Sequence, residues 1–381
     1  MKILCVEFDN ISHFENGKFR VDFTATDKVF KSSELYKISR NVATHNIIAF
    51  VGLNATGKTT ALRLLKIALN VAVYNTDLNL LDINDMIDDG AIMRVTFFNK
   101  DRYCQLESTI GRQMSDTKRQ FYYKEEVLRE KAVLSVRSRA DLTNFTDTNI
   151  KVRSKLSEEE RQYLDDAQSI IKPEIQGNTS FVDDNLVFNY LNIMIHSGST
   201  PSQILELFDE SIESLSVDAK LKWRLKFKND ERQYEAPDPL ALNLMISTGT
   251  ISGQGLIIRA IEALKHGGYL IVDEIESHLN KELVHFILTL FKEQRTNPHG
   301  ACIIFATHYA EILDFDTLNR KDNIYIMRKQ NHFLSATKLS KEHLRNDMRK
   351  SAVFFSNFLN GTAPKYDSMK RLRDFVCEKL N

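Results

Sequence analysis

Gly52-Leu53-Asn54-Ala55-Thr56-Gly57-Lys58-Thr59 constrains this chain more than any other stretch. It fits the pattern G-x-x-x-x-G-K-[ST], and its flanks suit it. Asn46-Ile47-Ile48-Ala49-Phe50-Val51 is a short apolar run of β-formers, which predicts a buried strand. Thr59 to Leu69 predicts a helix. Strand, glycine loop and helix together make a cradle for phosphate. The glycines let successive N–H groups face one anion, and the helix N-terminus adds its positive dipole end. In that reading Gly52, Asn54, Ala55, Thr56, Gly57, Lys58, Thr59 and Thr60 surround the phosphates of a nucleotide. Lys58 reaches the β- and γ-phosphates, and the Thr59 hydroxyl joins a Mg²⁺ shell.

A second apolar run, Gly268-Tyr269-Leu270-Ile271-Val272-Asp273-Glu274, ends in two carboxylates. This is the Walker B pattern. A strand of this kind delivers a carboxylate to the crevice where the P-loop ends, and Mg²⁺ wants oxygen ligands. Asp273 is expected to hold the ion, mostly through water, and Glu274 to act as general base on the attacking water. Read alone, the pair could also cap a helix. A third run, Ala301-Cys302-Ile303-Ile304-Phe305-Ala306-Thr307-His308, suits a neighbouring parallel strand that brings His308 to the γ-phosphate, where an imidazole senses or stabilises the transferring group. Upstream, Ile246-Ser247-Thr248-Gly249-Thr250 precedes a helix over Leu256–Leu264. A serine and a glycine at a helix start can bind an anion, although taken alone the motif is also a plain N-cap.

The chain has 381 residues, 43% of them hydrophobic, enough for a large core and two or three domains. Its 51 basic and 51 acidic residues cancel, so no net field draws it to nucleic acid or membrane, and any such site must be local. Cys5, Cys104, Cys302 and Cys377 show no C-x-x-C spacing, which argues against a zinc site or disulfide framework. Met1 leads into a strand-like stretch, not a signal sequence, and no apolar run approaches the ~18 residues of a membrane span. A soluble cytoplasmic protein without membrane partners is expected.

Residues 2–8 and 18–24 alternate apolar and polar, as antiparallel strands joined through Asn16-Gly17 do. Residues 91–98 and 103–110 predict a second hairpin. From about 112 to 205 the chain is polar and reads as mainly helical after residue 150, with Ser157-Glu158-Glu159-Glu160 as a capping box. Residues 254–328 then read as alternating helix and strand, an α/β core. A final helix is expected from Ser368 to Leu380.

The motifs, in this order, resemble the ATP-binding-cassette class of ATPases. The Ser247-to-Asp273 spacing and the phrase Asp273-Glu274-Ile275-Glu276-Ser277-His278-Leu279 resemble the SMC/RecF/OLD branch, and within it the compact bacterial "AAA family" ATPases of anti-phage systems. The resemblance covers residues 1–110 and 205–365. It implies an α/β fold: a P-loop ATPase head with N-terminal antiparallel β-hairpins and an inserted, mainly helical domain. The domains would be 1–111 (N-terminal lobe), 112–205 (insertion) and 206–381 (C-terminal lobe). It also implies a head-to-tail homodimer or larger homo-oligomer, with ATP and Mg²⁺ between one P-loop and the partner's Ser247, Thr248 and Gly249. Ser277 to Leu279 would cross that interface. Ile251-Ser252-Gly253-Gln254-Gly255 is a rival signature, 21 residues before Asp273; Ser247 is favoured. The glutamine usual after the P-loop lobe has no clear match, and Gln105 carries little weight. With 73 residues after His308 there is no room for a Toprim nuclease, so a separately encoded effector such as a nuclease is expected.

Lys220, Lys222, Arg224, Lys226 and Lys228 alternate with Leu221, Trp223, Leu225 and Phe227. As one strand, its cations would lie about 6.6 Å apart on one face and could track a phosphate backbone. An edge strand guarded by lysines explains the same pattern. Three readings stand: an ATPase that is sensor or scaffold for an effector in defence, a RecF-like DNA-binding ATPase, and a nucleotide-gated binding module with little turnover.

Overall fold

The computed structural model describes residues 1–27, 35–83, 85–115, 118–136, 140–145, 149–186, 198–342, 348–359, 362 and 366–380. The chain opens with β1 (Lys2–Asp9), β2 (Lys18–Asp22) and the short pair β3 (Leu35–Lys37) and β4 (Ala43–His45). Strand β5 (Ile47–Val51) runs into helix α1 (Lys58–Tyr74). Next come β6 (Ala91–Asn99), β7 (Arg102–Ser115), β8 (Lys118–Ala132) and β9 (Asn149–Val152). Helix α2 (Glu158–Gln162), β10 (Val182–Asp184), β11 (Gly198–Ser199) and α3 (Ser202–Phe208) follow. Then β12 (Ile212–Val217), β13 (Trp223–Phe227), β14 (Gln233–Ala236) and α4 (Pro239–Leu242) lead to α5 (Thr248–His266) and β15 (Tyr269–Val272). The chain continues through α6 (Lys281–Lys292), β16 (Cys302–Thr307), β17 (Ile324–Gln330) and β18 (Phe333–Lys338) to α7 (Lys350–Phe355) and α8 (Tyr366–Leu380).

These elements form a mixed α/β structure. One six-stranded sheet is antiparallel, in the order β2-β1-β6-β7-β8-β9; the core sheet runs β10-β15-β16-β5-β17-β18. In the core sheet β10, β15, β16, β5 and β17 are parallel, and β18 returns antiparallel. All five residues of β5 are buried, as expected of a strand covered on both faces. Ile48 and Phe50 join the cluster that packs α1 against the antiparallel sheet. Ile47, Ala49 and Val51 point the other way, into the cluster with α5 and α6. The parallel direction places the carboxyl ends of β5, β15 and β16 on one edge, where α/β sheets bind ligands.

Residues 112–205 correct the expectation of a mainly helical insertion. Their described part holds the end of β7 and strands β8 to β11, with α2 and α3 as short helices. The Glu, Lys and Arg of β8 favour helix in isolation, but pairing with β7 along most of its length overrides that preference. A bulge at Lys124 also broke the two-residue period. Phe121 and Tyr123 are buried before it, Glu126 and Leu128 after it, so the alternation changes parity. The Ser157 capping box does open α2: Ser157 Oγ accepts from the Glu160 N–H at 3.3 Å, and Glu160 accepts from the Ser157 N–H at 3.1 Å. No helix of the described residues is long and apolar enough to cross a membrane.

Candidate nucleotide site

The loop after β5 turns tightly. Ala55 has φ 60°, and Gly57, the N-cap of α1, has φ 86°. A side chain at Gly57 would be strained, and its Cβ would meet Leu334 Cδ1 at 2.5 Å. The loop is thus a cradle in which backbone replaces side chain. Asn54 to Thr60 line a cavity of about 700 Å³, together with Asp273, Glu274 and His308. Gly52 does not line it, but its carbonyl accepts from Lys58 Nζ at 2.8 Å.

The sequence motifs meet here through side-chain contacts. The Thr59 hydroxyl donates to Asp273 Oδ2 at 2.6 Å. Lys58 Nζ also donates to Leu53 O at 2.9 Å and lies 3.0 Å from His308 Nδ1. An ammonium only donates, so Nδ1 is the acceptor and the imidazole proton sits on Nε2. That nitrogen donates to Glu274 Oε1 at 3.1 Å. The His308 N–H donates to Glu276 Oε1 at 2.7 Å, which fixes the end of β16. Burial lowers the Lys58 ammonium to about 8, against the raising pull of Asp273, Glu276 and Glu274. Glu274 has φ 48° and His278 φ 62°, so the turn after β15 holds two residues in the left-handed region.

The oxygens of Thr59 and Asp273 lie side by side on the cavity wall, hard donors of the kind that suit a divalent cation such as Mg²⁺. Among the described residues no group of three or more His, Cys, Asp and Glu side chains could hold a metal on its own. Water and phosphate oxygens would have to complete such a shell.

A family model described as "AAA domain, putative AbiEii toxin, Type IV TA system" matches residues 116–314, more than half of the chain. The chain belongs to this AAA-domain family. The match makes it a nucleotide-binding protein of the ATPase type. The matched span of this AAA-domain protein includes Ser247, Asp273, Glu274 and His308, while the glycine loop lies before it. A search of curated proteins found no match.

Ser247, Thr248 and Gly249 do not line the cavity. Ser247 is the exposed N-cap of α5, with its Oγ accepting from the Thr250 N–H at 3.0 Å. Gly249 sits against the turn after β15: a Cβ there would meet the His278 carbonyl oxygen at 2.6 Å. The rival Ser252 is 5% exposed, in the second turn of the same helix.

Two further groups escaped the sequence reading. His13, Lys329, His332 and Leu334 complete the cavity from distant parts of the chain. Asn185, just past β10, contacts the backbone of Asp273. Neither belongs to a motif; only the Asn331-His332 pair between two strand-like runs hinted at a turn. Gln105 is elsewhere, buried on β7 with its amide on Thr96 Oγ1 at 3.4 Å.

The line of five cations is also corrected. Leu221 is 52% exposed with φ 60°, in a turn before β13, so Lys220 and Lys222 are not on the strand. Asp218 Oδ1 accepts from their backbone N–H groups. Arg224 lies 3.7 Å from Asp218 and 3.5 Å from Glu235, and Lys226 pairs with Glu213 at 2.7 Å. Lys228 follows the strand, with its N–H on Ser211 O. Strand β13 is interior to its sheet, between β12 and β14. Its outer face therefore carries alternating charge, and it is not an edge strand. Acids thus face Arg224 and Lys226, the two cations that lie on the strand.

Proposed function

We propose that the chain is a cytoplasmic, magnesium-dependent ATPase whose ATP-bound state pairs two copies head to tail. One observation carries this reading. Lys58, Thr59, Asp273, Glu274 and His308, from three separate strand ends, border one cavity at the carboxyl edge of the core sheet. Mg²⁺, when bound, neutralises charge on the phosphate oxygens, and Thr59 and Asp273 would hold it. The backbone N–H groups of the loop and Lys58 bind the phosphates. Glu274 is placed to accept the proton of water. His308 links Glu274 to Lys58, so the acid and the phosphate-binding cation are positioned as one unit.

The second copy follows from Ser247. An exposed serine with the N–H groups of a helix start offers an anion site, yet it does not line its own chain's cavity. A partner's nucleotide is its natural ligand. The family's description as a toxin of a toxin–antitoxin system supports a defence role, in which the dimer is scaffold or sensor for a separately encoded effector. No observation favours DNA binding through the β13 region, where Arg224 and Lys226 face acids.

Glu274→Gln tests the proposal. The amide keeps the shape but cannot take the proton. Phosphate release should fall about 10²–10⁴-fold, while ATP still binds and sedimentation shows a dimer only with ATP. A variant that turns over at the wild-type rate, or stays monomeric, removes this mechanism.

A further inference from the structure

The amino edge of the core sheet, opposite the nucleotide cavity, holds a small polar chamber. His45 ends β4, Asn46 precedes β5 and Asn323 precedes β17, so two parallel strands begin here. The turn Asp316–Leu318 brings in Thr317, and Arg320 and Lys292, the last residue of α6, complete the wall. They border a cavity of about 10 Å³, close to the ~10–15 Å³ that holds one water.

Four of these side chains bring buried polar atoms that the fold leaves unpaired: both ring nitrogens of His45, Asn46 Oδ1, Asn323 Oδ1 and Thr317 Oγ1. The four residues are 2%, 5%, 5% and 7% exposed, in that order. His45 Nε2 stops 3.7 Å from Asp322 Oδ2, too far for a hydrogen bond. That oxygen already accepts from the Thr26 and Asp27 N–H groups and from Arg320. Burying one polar atom without a partner is costly, and here several line one small cavity.

The chemistry of these atoms selects the ligand. Asn323 Nδ2 donates to Ile47 O at 3.0 Å, which fixes its Oδ1 as an acceptor. Asn46 Oδ1 also only accepts, whereas the Thr317 hydroxyl and one nitrogen of a neutral imidazole donate. An anion would face two amide oxygens. A cation would sit beside the Arg320 guanidinium and the Lys292 ammonium. An organic molecule exceeds the volume. Water carries two donors and two acceptors. We infer that this chamber is a binding site for one water, which donates to Asn46 and Asn323 and accepts from Thr317 and His45. The water ties the Asp316–Leu318 turn to the starts of β5 and β17. This site is independent of the nucleotide reading.

A crystal structure of the full chain that resolves ordered water, with a second crystal soaked in rubidium bromide, tests it. A peak should stand ~2.7–3.2 Å from at least three of the four side chains, with no anomalous signal from rubidium or bromide. A chamber without a peak, or one that takes up either ion, overturns the site. Thr317→Val gives a test in solution, since valine keeps nearly the same shape and removes the hydroxyl. If the hydroxyl binds water, the variant forfeits that bond and should melt a few degrees lower. If the hydroxyl is unpaired in the folded chain, its removal relieves the cost of burying it. A variant that melts at or above the wild-type temperature therefore overturns the inference.

Discussion

Asn185 holds both backbone polar groups of Asp273: its side-chain oxygen accepts from the Asp273 N–H at 2.6 Å, and its amide donates to the Asp273 carbonyl at 3.2 Å. The Asn185 N–H donates to Ile271 O at 3.2 Å, so it extends the pairing of β10 with β15 by one residue. Asn185 thereby sets where the Asp273 carboxylate stands relative to Thr59. Asn185→Ala should leave ATP affinity without metal unchanged, yet raise the Mg²⁺ concentration needed for half-maximal turnover about 10–100-fold, the usual cost of losing a supporting shell. Titration of activity with Mg²⁺ checks this; an unchanged metal requirement would show that the clamp is only structural.

Lys58→Ala should abolish measurable ATP binding. Lys58 Nζ is held by Gly52 O, Leu53 O and His308 Nδ1 in the cradle, where burial keeps its charge poorly solvated. An anion there replaces weak partners with a charged one. Hydrogen bonds to charged groups are worth about 1.5–3 kcal/mol each, so two lost contacts cost at least about 100-fold in affinity. Calorimetry with ATP and Mg²⁺ reads it; wild-type affinity would refute the loop assignment.

The two candidate signature serines separate cleanly by position. Ser247→Arg lies on the surface, so the protein should fold, bind ATP as a monomer and fail to dimerise. Mixed with Lys58→Ala it should recover one composite site and partial activity. Ser252 is buried in α5, so Ser252→Arg should lower the melting temperature instead, because a guanidinium enters a packed helix face. Complementation by the Ser252 variant, with none by the Ser247 variant, would reverse the choice.

Stability should fall in mild acid through His45. The ring is buried, and burial lowers it from 6.5 to about 4; Asp322 and Asp22 pull the other way, while Arg320 and Lys338 add to the lowering. The unfolded chain therefore takes up this proton first. The contribution is complete above about 6.5 and is lost as pH falls toward about 4, at most about 3 kcal/mol in all. Urea unfolding of the wild type and His45→Gln at pH 7 and pH 4.5 should show the gap between them change in the variant's favour at the lower pH. A constant gap would remove His45 as the cause.

Sequence alone located the segments that meet in the cavity. The glycine loop, the strand ending in Asp273 and Glu274, and the strand ending in His308 are contiguous patterns, each legible because one short segment carries both the apolar run and the functional residues. The capping box at Ser157 and Glu160 was legible for the same reason. Tertiary structure decided what depends on residues far apart in the chain. Pairing with β7 made a strand of a lysine- and glutamate-rich segment, and an inserted residue at Lys124 hid its period. A turn at Leu221 took Lys220 and Lys222 off the strand, and acids from the adjoining turn and neighbouring strands met Arg224 and Lys226. Asn185 reached Asp273 from 88 positions away, and the β17–β18 turn brought His332 beside a loop that precedes it by hundreds of residues. Such contacts form only when the parallel sheet gathers its strand ends, and no local pattern records that gathering.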